Sequence, residues 1–245
     1  MKTLIMAAGY AKRMWPLTQD KPKHLLPVAG KPVIDYILQQ LEKIDDVSEI
    51  FIVTNSKFYP VFNDFFNSRK YRKKISIIDD GTSSEKTRLG SIGDILFAMD
   101  KLNLNDDIFI IFGDNLFTFD LQEIVTRFRN IRVPLIGVYK TNLEEAKKFG
   151  VVSVDNSNRI IDFEEKPLKP KSNLVSTGVY ILPQKTLCKV KEYVKSGNNT
   201  DAFGFFLSWL YKKEPVFAIN FTGKWYDIGS LESYKEADMF LSGKT

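Results

Sequence analysis

The feature that most constrains the fold is a regular alternation of short apolar runs with helical patterns over the first 140 residues. The apolar runs occupy residues 3–8, 49–54, 75–79, 107–113 and 133–139, and the helical patterns occupy residues 33–44, 58–71, 91–102 and 121–131. Such runs are typical of strands buried on both faces. Their alternation with helices predicts an α/β fold with a doubly wound, mostly parallel sheet that binds ligands beyond the carboxyl ends of its strands.

The pattern changes after residue 150, where β-like segments separated by polar turns predict a small antiparallel sheet. No internal repeat and no linker rich in proline, glycine or serine is visible. We therefore predict a single domain over residues 1–245. Within it we expect a first part at about 1–140, a second part at about 141–229 and a C-terminal helix at about 230–243.

The composition limits the available chemistry. The single cysteine, Cys188, excludes an internal disulfide, and the single histidine, His24, excludes a zinc site built from several histidines. A reducing, cytoplasmic setting is expected. Any catalysis is therefore expected to depend on carboxylates, lysine and arginine.

The charge and hydropathy of the chain predict no polymer or membrane partner. The formal net charge of +5 suits phosphate ligands, and the densest basic run, residues 68–74, is interpreted as the solvated end of a helix rather than a nucleic-acid site. The apolar start of the chain is broken by Gly9 and followed by Lys12 and Arg13, which is unlike a leader peptide. No run reaches the length of a membrane-spanning helix.

The loop after the first apolar run has the residues of a phosphate site. Its small residues Ala7, Ala8 and Gly9 allow close approach of a base or a phosphate. Arg13 can bind phosphate oxygens with two hydrogen bonds, and Lys23 can add a point charge. The loop matches neither the P-loop nor the dinucleotide pattern, and by itself it is equally an ordinary basic surface loop.

Two aspartates are candidate ligands of Mg²⁺, which prefers one or two carboxylates together with substrate phosphates. Asp114 follows a central apolar run in the sequence Gly-Asp-Asn, and Asp227 precedes the last helical pattern. Each aspartate alone could instead form a turn or a helix cap.

Three further segments carry weaker signals. Gly90 and Gly93 stand at a helix start, where they permit close approach of a ligand or form a plain turn. The FEEKP segment, residues 163–167, ends a strand with an acidic pair and a lysine, and its simplest interpretation is an exposed salt bridge. Thr177 and Gly178 lie inside a predicted strand, where glycine often marks a ligand or a neighbouring backbone.

Taken in order, these segments resemble the sugar-phosphate nucleotidylyltransferases, in particular the glucose-1-phosphate thymidylyltransferase-like members. The segments that carry the resemblance are AAGYAKRMWPLT, KPKHLLPVAGKP, LGSIG, GDN, FGVV, FEEKP, STGVY and WYDIGS, and they span nearly the whole chain. The resemblance implies a Rossmann-like, GT-A-like fold with a nucleotide-binding part, and with the small antiparallel sheet binding a sugar. It also implies attack of a sugar 1-phosphate on the α-phosphorus of a nucleoside triphosphate, with Mg²⁺ bound and pyrophosphate released.

The resemblance also assigns roles to residues of this chain. Arg13, Lys23 and Lys166 would be catalytic, and Asp114 and Asp227 would bind Mg²⁺. The nucleotide would contact Ala7, Ala8, Gly9, Arg13, Lys23, Gly90 and Ser91, and the sugar phosphate would contact Asn115, Gly150, Glu165, Lys166, Thr177 and Tyr180.

The chain departs from the pattern of that family at two places. Ala11 and Lys12 replace a glycine and a threonine before Arg13, and Gly93 stands near the place of a glutamine in the best-known thymidylyltransferases. GSIG is closer to the GTAG of guanylyl-type enzymes, so dTTP with glucose 1-phosphate is the first expectation and a guanylyl, mannose-linked or UTP-using enzyme is the alternative.

Two other hypotheses for the function stay open. The chain could be a non-catalytic accessory subunit of the same fold, or it could be a glycosyltransferase. The partners expected are a nucleoside triphosphate and a sugar 1-phosphate, and a homo-oligomer is compatible with the sequence. Because the chain ends one helix after WYDIGS, we expect neither a left-handed β-helix nor acetyltransferase activity.

Overall fold

The structure is a computed structural model that describes residues 1–243. The chain forms two compact units. Unit 1 comprises Met1–Arg88, Ile111–Leu121 and the segment from Gly223 onward, and unit 2 comprises Leu89–Ile110 and Gln122–Thr222. These limits differ from the division at residue 140 expected from the sequence, and the assignment of a single domain stays a prediction.

The elements alternate along the chain much as the sequence predicts. The strands are β1 (Lys2–Met6), β2 (Pro27–Val28), β3 (Lys31–Pro32), β4 (Glu49–Thr54), β5 (Ile75–Asp79), β6 (Ile108–Phe112), β7 (Asn115–Phe117), β8 (Leu135–Lys140), β9 (Gly150–Val154), β10 (Ile160–Glu165), β11 (Leu174–Leu182), β12 (Phe217–Asn220) and β13 (Trp225–Asp227). The helices are α1 (Val33–Leu41), α2 (Tyr59–Asn67), α3 (Gly90–Lys101), α4 (Gln122–Ile131), α5 (Leu143–Ala146), α6 (Leu187–Lys195), α7 (Phe203–Leu210) and α8 (Leu231–Leu241).

Unit 1 contains the parallel strands predicted from the first apolar runs. Strand β4 lies between β1 and β5 and pairs in parallel with both, with Ile52 opposite Ile5 and Ile77. The unit also holds two short antiparallel pairs, β2 with β3 and β7 with β13. The three apolar residues of β1, Leu4, Ile5 and Met6, are all buried, as expected for a strand covered on both faces.

The helices of unit 1 follow from their apolar spacing. The buried residues of α1 recur every three or four positions, which places them on one face; they are Val33, Ile34, Ile37, Leu38 and Leu41. Helix α8 begins with a capping box in which Ser230 and Ser233 satisfy each other's backbone N–H groups.

Unit 2 is built on mixed pairings. Strand β11 pairs antiparallel with β8 and β9, and β9 pairs antiparallel with β10, which is the small antiparallel sheet predicted after residue 150. Within the described part of the chain, the parallel partner of β8 is the short β12. The sequence predicts that the strand at 133–139 is parallel to its neighbours. This is wrong for its pairing with β11, because apolar periodicity carries no information on strand direction.

The basic run at residues 68–74 is not the solvated end of a helix. Helix α2 ends at Asn67, and the run folds back onto unit 1. Arg69 pairs with Asp35 at 2.8 Å, and Lys73 donates to the carbonyls of Ile44 and Val47 at 2.8 and 2.7 Å. The run is thus largely used to fasten neighbouring segments of the same unit.

The fold is α/β, with a mostly parallel central sheet, helices and small antiparallel sheets, in agreement with the prediction. The hairpin β2–β3, strand β7 and helix α5 are too short to be recognised from periodicity and were not predicted. Between Met1 and Gly243, no helix has the length and apolar character needed to cross a bilayer.

Candidate functional site

The first strand of unit 1 leads into a turn of small residues. Ala7 donates its N–H to the carbonyl of Val53 at 2.8 Å, which extends β1 beside β4. The carbonyl of Ala8 accepts a hydrogen bond from Asn55 Nδ2 at 2.7 Å. Gly9 is exposed, and a Cβ there would meet no atom within 4 Å. The backbone is therefore fixed at one residue and open at the next, which suits close contact with a base or a phosphate.

The loop that follows takes a glycine-like path although it lacks the glycine. Ala11 has φ 47° and ψ 37°, in the left-handed region. Its carbonyl accepts hydrogen bonds from Thr18 Oγ1 at 2.8 Å and from the N–H of Met14 at 3.0 Å. Both donors belong to fully buried residues, so the core of unit 1 holds the strained residue in place.

Arg13 lies in the exposed part of this loop. Within residues 1–243 it makes no hydrogen bond or ion pair. Its neighbour Lys12, in contrast, pairs with Glu85 at 2.9 Å. The Arg13 guanidinium is consequently available to an anionic ligand.

Unit 1 contains a largely buried ion pair between Lys23 and Asp114. Lys23 Nζ lies 2.5 Å from Asp114 Oδ2, and the two side chains are only 12% and 21% exposed. Burial opposes ionisation of this carboxyl, but the charge and the hydrogen bond of Lys23 hold the pKa of Asp114 below its ordinary value. The structure therefore brings together a cation and a carboxylate that stand 91 residues apart.

His24, the residue after Lys23, lies in the core of unit 1. Its side chain is buried, and its Nδ1 has no hydrogen-bond partner among the described residues. Burial first, and then the charge of Lys23, lower the pKa of His24 from 6.5 to about 3. A Cβ at Gly113 would lie 3.0 Å from the His24 ring, so the glycine before Asp114 makes room for the imidazole. His24 is neutral at physiological pH and was not assigned a role from the sequence.

Asn115 is held inside unit 1 by three hydrogen bonds. Its Nδ2 donates to the carbonyl of Phe112 and to Asp114 Oδ1, each at 3.1 Å, and its Oδ1 accepts from Trp225 Nε1 at 2.7 Å. The side chain is buried. Trp225 was missed in the sequence, although an indole N–H two residues before a candidate metal ligand was a usable signal.

Asp227 reaches the neighbourhood of Asp114 through the pairing of β13 with β7. Asp227 is opposite Asn115, and the N–H of Ile228 donates to the carbonyl of Asp114 at 2.8 Å. A Cβ at Gly229 would lie 3.3 Å from an oxygen of Asp227, so a glycine beside this carboxylate keeps it uncrowded.

These two carboxylates are the residues of unit 1 that could hold Mg²⁺. Hard carboxylate oxygens suit this ion, and it commonly takes only one or two of them while phosphates and water complete the shell. Nowhere in residues 1–243 do three or more histidine, cysteine or acidic side chains gather into a metal site. A magnesium ion held by Asp114 and Asp227 would need substrate phosphates and water to complete its shell.

In unit 2, the turn before α3 is already engaged by another loop of the same unit. Gly90 has φ +79°, and the N–H groups of Ser91 and Ile92 donate to the carbonyls of Asp201 and Thr200 at 3.1 and 3.0 Å. The Ser91 hydroxyl also donates to the carbonyl of Asp201 at 3.2 Å. The first free N–H groups of this helix are thus used internally.

Glu165 is the central acidic side chain of unit 2. It is 14% exposed, and Cβ atoms at Gly150 and Gly204 would both press against its carboxylate. Burial first, and then the charge of Asp201, raise the pKa of Glu165 against the opposing effect of Lys166. The interpretation of FEEKP as an exposed salt bridge does not hold for Glu165, because glycines on two other elements create a recess for it.

Lys166 follows Glu165 in a constrained conformation. Its φ is 49°, and its N–H donates to the carbonyl of Phe149 at 3.1 Å. The side chain is 60% exposed, with Nζ 4.0 Å from Glu165 Oε1. The backbone is fixed while the ammonium group is accessible, which suits a cation that meets a phosphate.

Thr177 and Tyr180 lie in the interior of unit 2. The Thr177 hydroxyl donates to the carbonyl of Gly137 at 3.0 Å, and the Tyr180 hydroxyl lies 2.8 Å from Ser176 Oγ. Tyr180 also stacks on Phe203 with ring centroids 4.2 Å apart. Both side chains are buried and hydrogen-bonded, so their direct contact with a ligand stays a prediction.

The predicted site residues fall into two sets, one in each unit. In unit 1 the set is Ala7, Ala8, Gly9, Arg13, Lys23, Asp114, Asn115 and Asp227, and in unit 2 it is Gly90, Ser91, Gly150, Glu165, Lys166, Thr177 and Tyr180. Sequence reasoning missed Asn55, Thr200, Trp225 and Gly204. The position of Asn55 directly after an apolar strand was a signal for the first of these.

The sequence of the chain matches a known protein family. The sequence model of the nucleotidyl transferase family matches residues 2–244. The chain therefore belongs to the nucleotidyl transferase family, as its resemblance predicted.

Similar sequences occur in archaea. The chain is 30% identical over 244 residues to the bifunctional protein GlmU of Methanocaldococcus jannaschii, covering all of this chain and 55% of that protein. It is 30% identical over 241 residues to a protein of Sulfolobus acidocaldarius provisionally named a mannose-1-phosphate guanyltransferase, covering 98% of this chain and 63% of that protein. The chain thus spans only about half to two thirds of the length of these relatives.

Similar folds occur among solved structures. A crystal structure from Bacillus anthracis, provisionally named a glucose-1-phosphate thymidylyltransferase, matches with a TM-score of 0.84 and 26% identity, over 99% of this chain and 95% of that one. A UDP-glucose pyrophosphorylase complexed with UDP-glucose matches with a TM-score of 0.83 and 24% identity, over 100% and 99% of the two chains. The second likeness concerns the fold alone.

Proposed function

We propose that this chain transfers a nucleotidyl group from a nucleoside triphosphate to a sugar 1-phosphate, giving a nucleoside diphosphate sugar and pyrophosphate. The observation that carries the proposal is the largely buried ion pair of Lys23 with Asp114, whose side chains are 12% and 21% exposed, in the same unit as an exposed Arg13 that has no side-chain partner within residues 1–243. Together they offer two cations for phosphate oxygens and one carboxylate for a metal ion.

The reaction needs charge neutralisation more than proton transfer. The attacking oxygen belongs to a phosphate that is largely ionised at neutral pH, so no general base is required. Its bond to the α-phosphorus forms as the bond from that phosphorus to the pyrophosphate oxygen breaks. We assign Arg13 to the oxygens of the leaving pyrophosphate and Lys23 to the triphosphate, where fixed cations stabilise the developing charge.

Mg²⁺ is the metal that the carboxylates of unit 1 would hold. When bound, it would offset negative charge on the phosphates. Asp114 and Asp227 would be its protein ligands. Asn115, predicted to contact the sugar phosphate, would also position Asp114, because its side chain is hydrogen-bonded to Asp114, Phe112 and Trp225.

The sugar phosphate is assigned to residues of unit 2. Lys166 provides an accessible ammonium group on a fixed backbone, and Glu165 provides a carboxylate in a recess between Gly150 and Gly204. Carboxylates commonly accept hydrogen bonds from hydroxyl groups, which matches the chemistry of a sugar. Thr177 and Tyr180, which are buried in the same unit, would line the sugar site.

The substrate pair proposed first is dTTP with glucose 1-phosphate. It is supported by the resemblance of the motifs and by the 26% identity to a structure that carries the name of a glucose-1-phosphate thymidylyltransferase. The alternative is a mannose-1-phosphate guanylyltransferase or a UTP-using enzyme, which the GSIG turn and the Sulfolobus relative favour. A non-catalytic accessory subunit is the second alternative. A cytoplasmic location and a homo-oligomer stay predictions from the sequence.

A panel assay tests the function and the substrates together. Pyrophosphate release would be measured with Mg²⁺ for dTTP, UTP, GTP, CTP and ATP, each with glucose 1-phosphate and mannose 1-phosphate. Asp114→Asn should abolish release, whereas Asp64→Asn, a change to an exposed aspartate on α2, should not. Release that is equal in both variants would remove Asp114 from the mechanism. If the wild type releases no pyrophosphate with any substrate pair, the result would favour the accessory-subunit alternative.

A further inference from the structure

The turn that begins α3 is clamped by a loop from a distant part of the sequence. In unit 2, the carbonyls of Thr200 and Asp201 accept the N–H groups of Ile92 and Ser91. The Thr200 hydroxyl donates to the carbonyl of Leu89 at 2.8 Å. Three backbone positions of the turn are therefore bonded to two consecutive residues of one loop.

Two glycines adapt the turn to this loop. Gly90 has φ +79°, and a Cβ there would overlap the backbone of Thr200 and Asp201. A Cβ at Gly93 would lie 2.8 Å from the Cβ of Leu89 and 3.9 Å from Thr200 Oγ1. Thr200 thus lies close to both glycines that the sequence singled out, and its hydroxyl bonds the residue before the first of them.

The loop is itself fixed within unit 2. The N–H of Asp201 donates to Asn199 Oδ1 at 2.9 Å, and the buried Tyr193 donates its hydroxyl to the carbonyl of Asn199 at 2.7 Å. Asn198 Nδ2 donates to the carbonyl of Tyr193 at 2.9 Å. The loop is therefore tied to helix α6 through Tyr193.

We propose that Thr200 is a positioning residue that sets nucleobase selection by fixing the Gly90 turn. The inference rests on the proposed function and on the resemblance, which assigns the nucleotide to Gly90 and Ser91 of this turn. A base is discriminated by the placement of a few polar backbone groups, so a small displacement of the turn changes the relative affinity for different bases. Thr200 itself touches the turn and need not touch the nucleotide.

The test replaces the hydroxyl of Thr200 and restores it. Thr200→Val and Thr200→Ala remove the hydrogen bond to Leu89, and Thr200→Ser keeps it. The matched control is Thr186→Val, because Thr186 is a buried threonine of unit 2 whose hydroxyl has no hydrogen-bond partner within the described residues. For each protein we would measure the dissociation constants of the five nucleoside triphosphates by calorimetry, kcat/KM for each triphosphate, and Tm.

The expected result is a reduced preference among triphosphates. The ratio of affinities for the best and second-best triphosphate should fall about fivefold in Thr200→Val and Thr200→Ala, the size expected for losing one hydrogen bond. It should return to the wild-type value in Thr200→Ser and stay unchanged in Thr186→Val.

An unchanged ratio in the Val and Ala variants would overturn the inference. If the affinities for all triphosphates fall by the same factor together with Tm, the ratio is likewise unchanged and the role of Thr200 is purely structural. If the wild type binds triphosphates selectively but releases no pyrophosphate, the proposed function fails while the calorimetric ratios still decide the role of Thr200. A wild type that binds no triphosphate would overturn both.

Discussion

At the scale of single residues, Arg13 is the side chain whose surroundings most favour a functional role. It is exposed and makes no ion pair within residues 1–243, while the neighbouring Lys12 is paired. We expect Arg13→Ala to lower kcat about 10³-fold, as for other arginines that stabilise phosphoryl transfer. Steady-state kinetics would measure this. The matched control is Arg127→Ala, an exposed arginine on α4; a kcat for Arg13→Ala equal to that of the control would refute the assignment.

His24 predicts a specific loss of stability in acid. Burial lowers the pKa of His24 from 6.5 to about 3. Between these two pH values His24 binds a proton in the unfolded chain but stays neutral in the folded protein. The contribution of neutral His24 to the free energy of unfolding is therefore fully present above pH 6.5 and is lost as the pH falls toward 3. Between pH 7.5 and 5 the free energy of unfolding should fall by about 2 kcal/mol from this group alone.

Urea unfolding of the wild type and of His24→Leu at both pH values would measure this effect. The variant lacks the titrating group, so its loss between pH 7.5 and 5 should be smaller than that of the wild type by about 2 kcal/mol. Equal losses in the two proteins would show that His24 is protonated in the folded state.

Some of the candidate site residues could be predicted from the sequence because of their positions relative to the strands. Asp114 comes just after the apolar strand β6, and Arg13 and Lys23 lie in the loop that follows β1, at the end of the strands where the α/β fold places ligands, so their positions are informative. The burial of Asn115 and Thr177 was not predictable, because it depends on the partners Trp225 and Gly137, which the fold supplies from distant positions.

At the scale of elements, the loop after β1 shows how the fold accommodates a departure from the family pattern. Ala11 takes φ 47° in place of the usual glycine, and Thr18 holds its carbonyl. A left-handed conformation costs a non-glycine residue about 1–2 kcal/mol, while glycine adds unfolded-state entropy of about 0.4–1 kcal/mol. We expect Ala11→Gly to raise the free energy of unfolding by about 0.5 kcal/mol and to leave kcat within about twofold.

Urea unfolding and kinetics of Ala11→Gly measure these quantities. Ala29 provides a comparison, since it has φ 48° at the tip of the β2–β3 hairpin. Ala29→Gly should change stability similarly, by the same physical argument. A destabilisation by Ala11→Gly of more than about 1 kcal/mol would mean that the alanine methyl packs favourably and that strain is not the dominant effect.

Element positions were more predictable than strand directions. The runs at 49–54 and 75–79 match β4 and β5 residue for residue, because both are short apolar runs, although β4 is almost wholly buried and β5 has only Ile78 buried. The antiparallel partner of β8 was not predictable, since it lies about 40 residues further along the chain and strand order depends on tertiary packing. The hairpin β2–β3, with two residues per strand, has no periodicity to detect.

At the scale of the whole molecule, the assignment as a nucleotidyl transferase family member predicts stabilisation by substrate. A ligand at 100 times its dissociation constant adds about 2.7 kcal/mol to the free energy of unfolding. For a chain of this size Tm should rise by about 5–10 °C with the preferred triphosphate and Mg²⁺. Thermal unfolding would measure the shift. The corresponding nucleoside without phosphates should give a much smaller one, and equal shifts would contradict a site built on Arg13 and Lys23.

The central claim is that the α-phosphate of a nucleoside triphosphate moves to a sugar 1-phosphate. The most direct measurement uses a triphosphate labelled at its α-phosphate and follows the label after incubation with Mg²⁺ and each sugar 1-phosphate. We predict that the label appears in a nucleoside diphosphate sugar in equal amount to the pyrophosphate released. Label that stays in the triphosphate with every sugar phosphate, or that appears in a nucleoside monophosphate, would contradict the account.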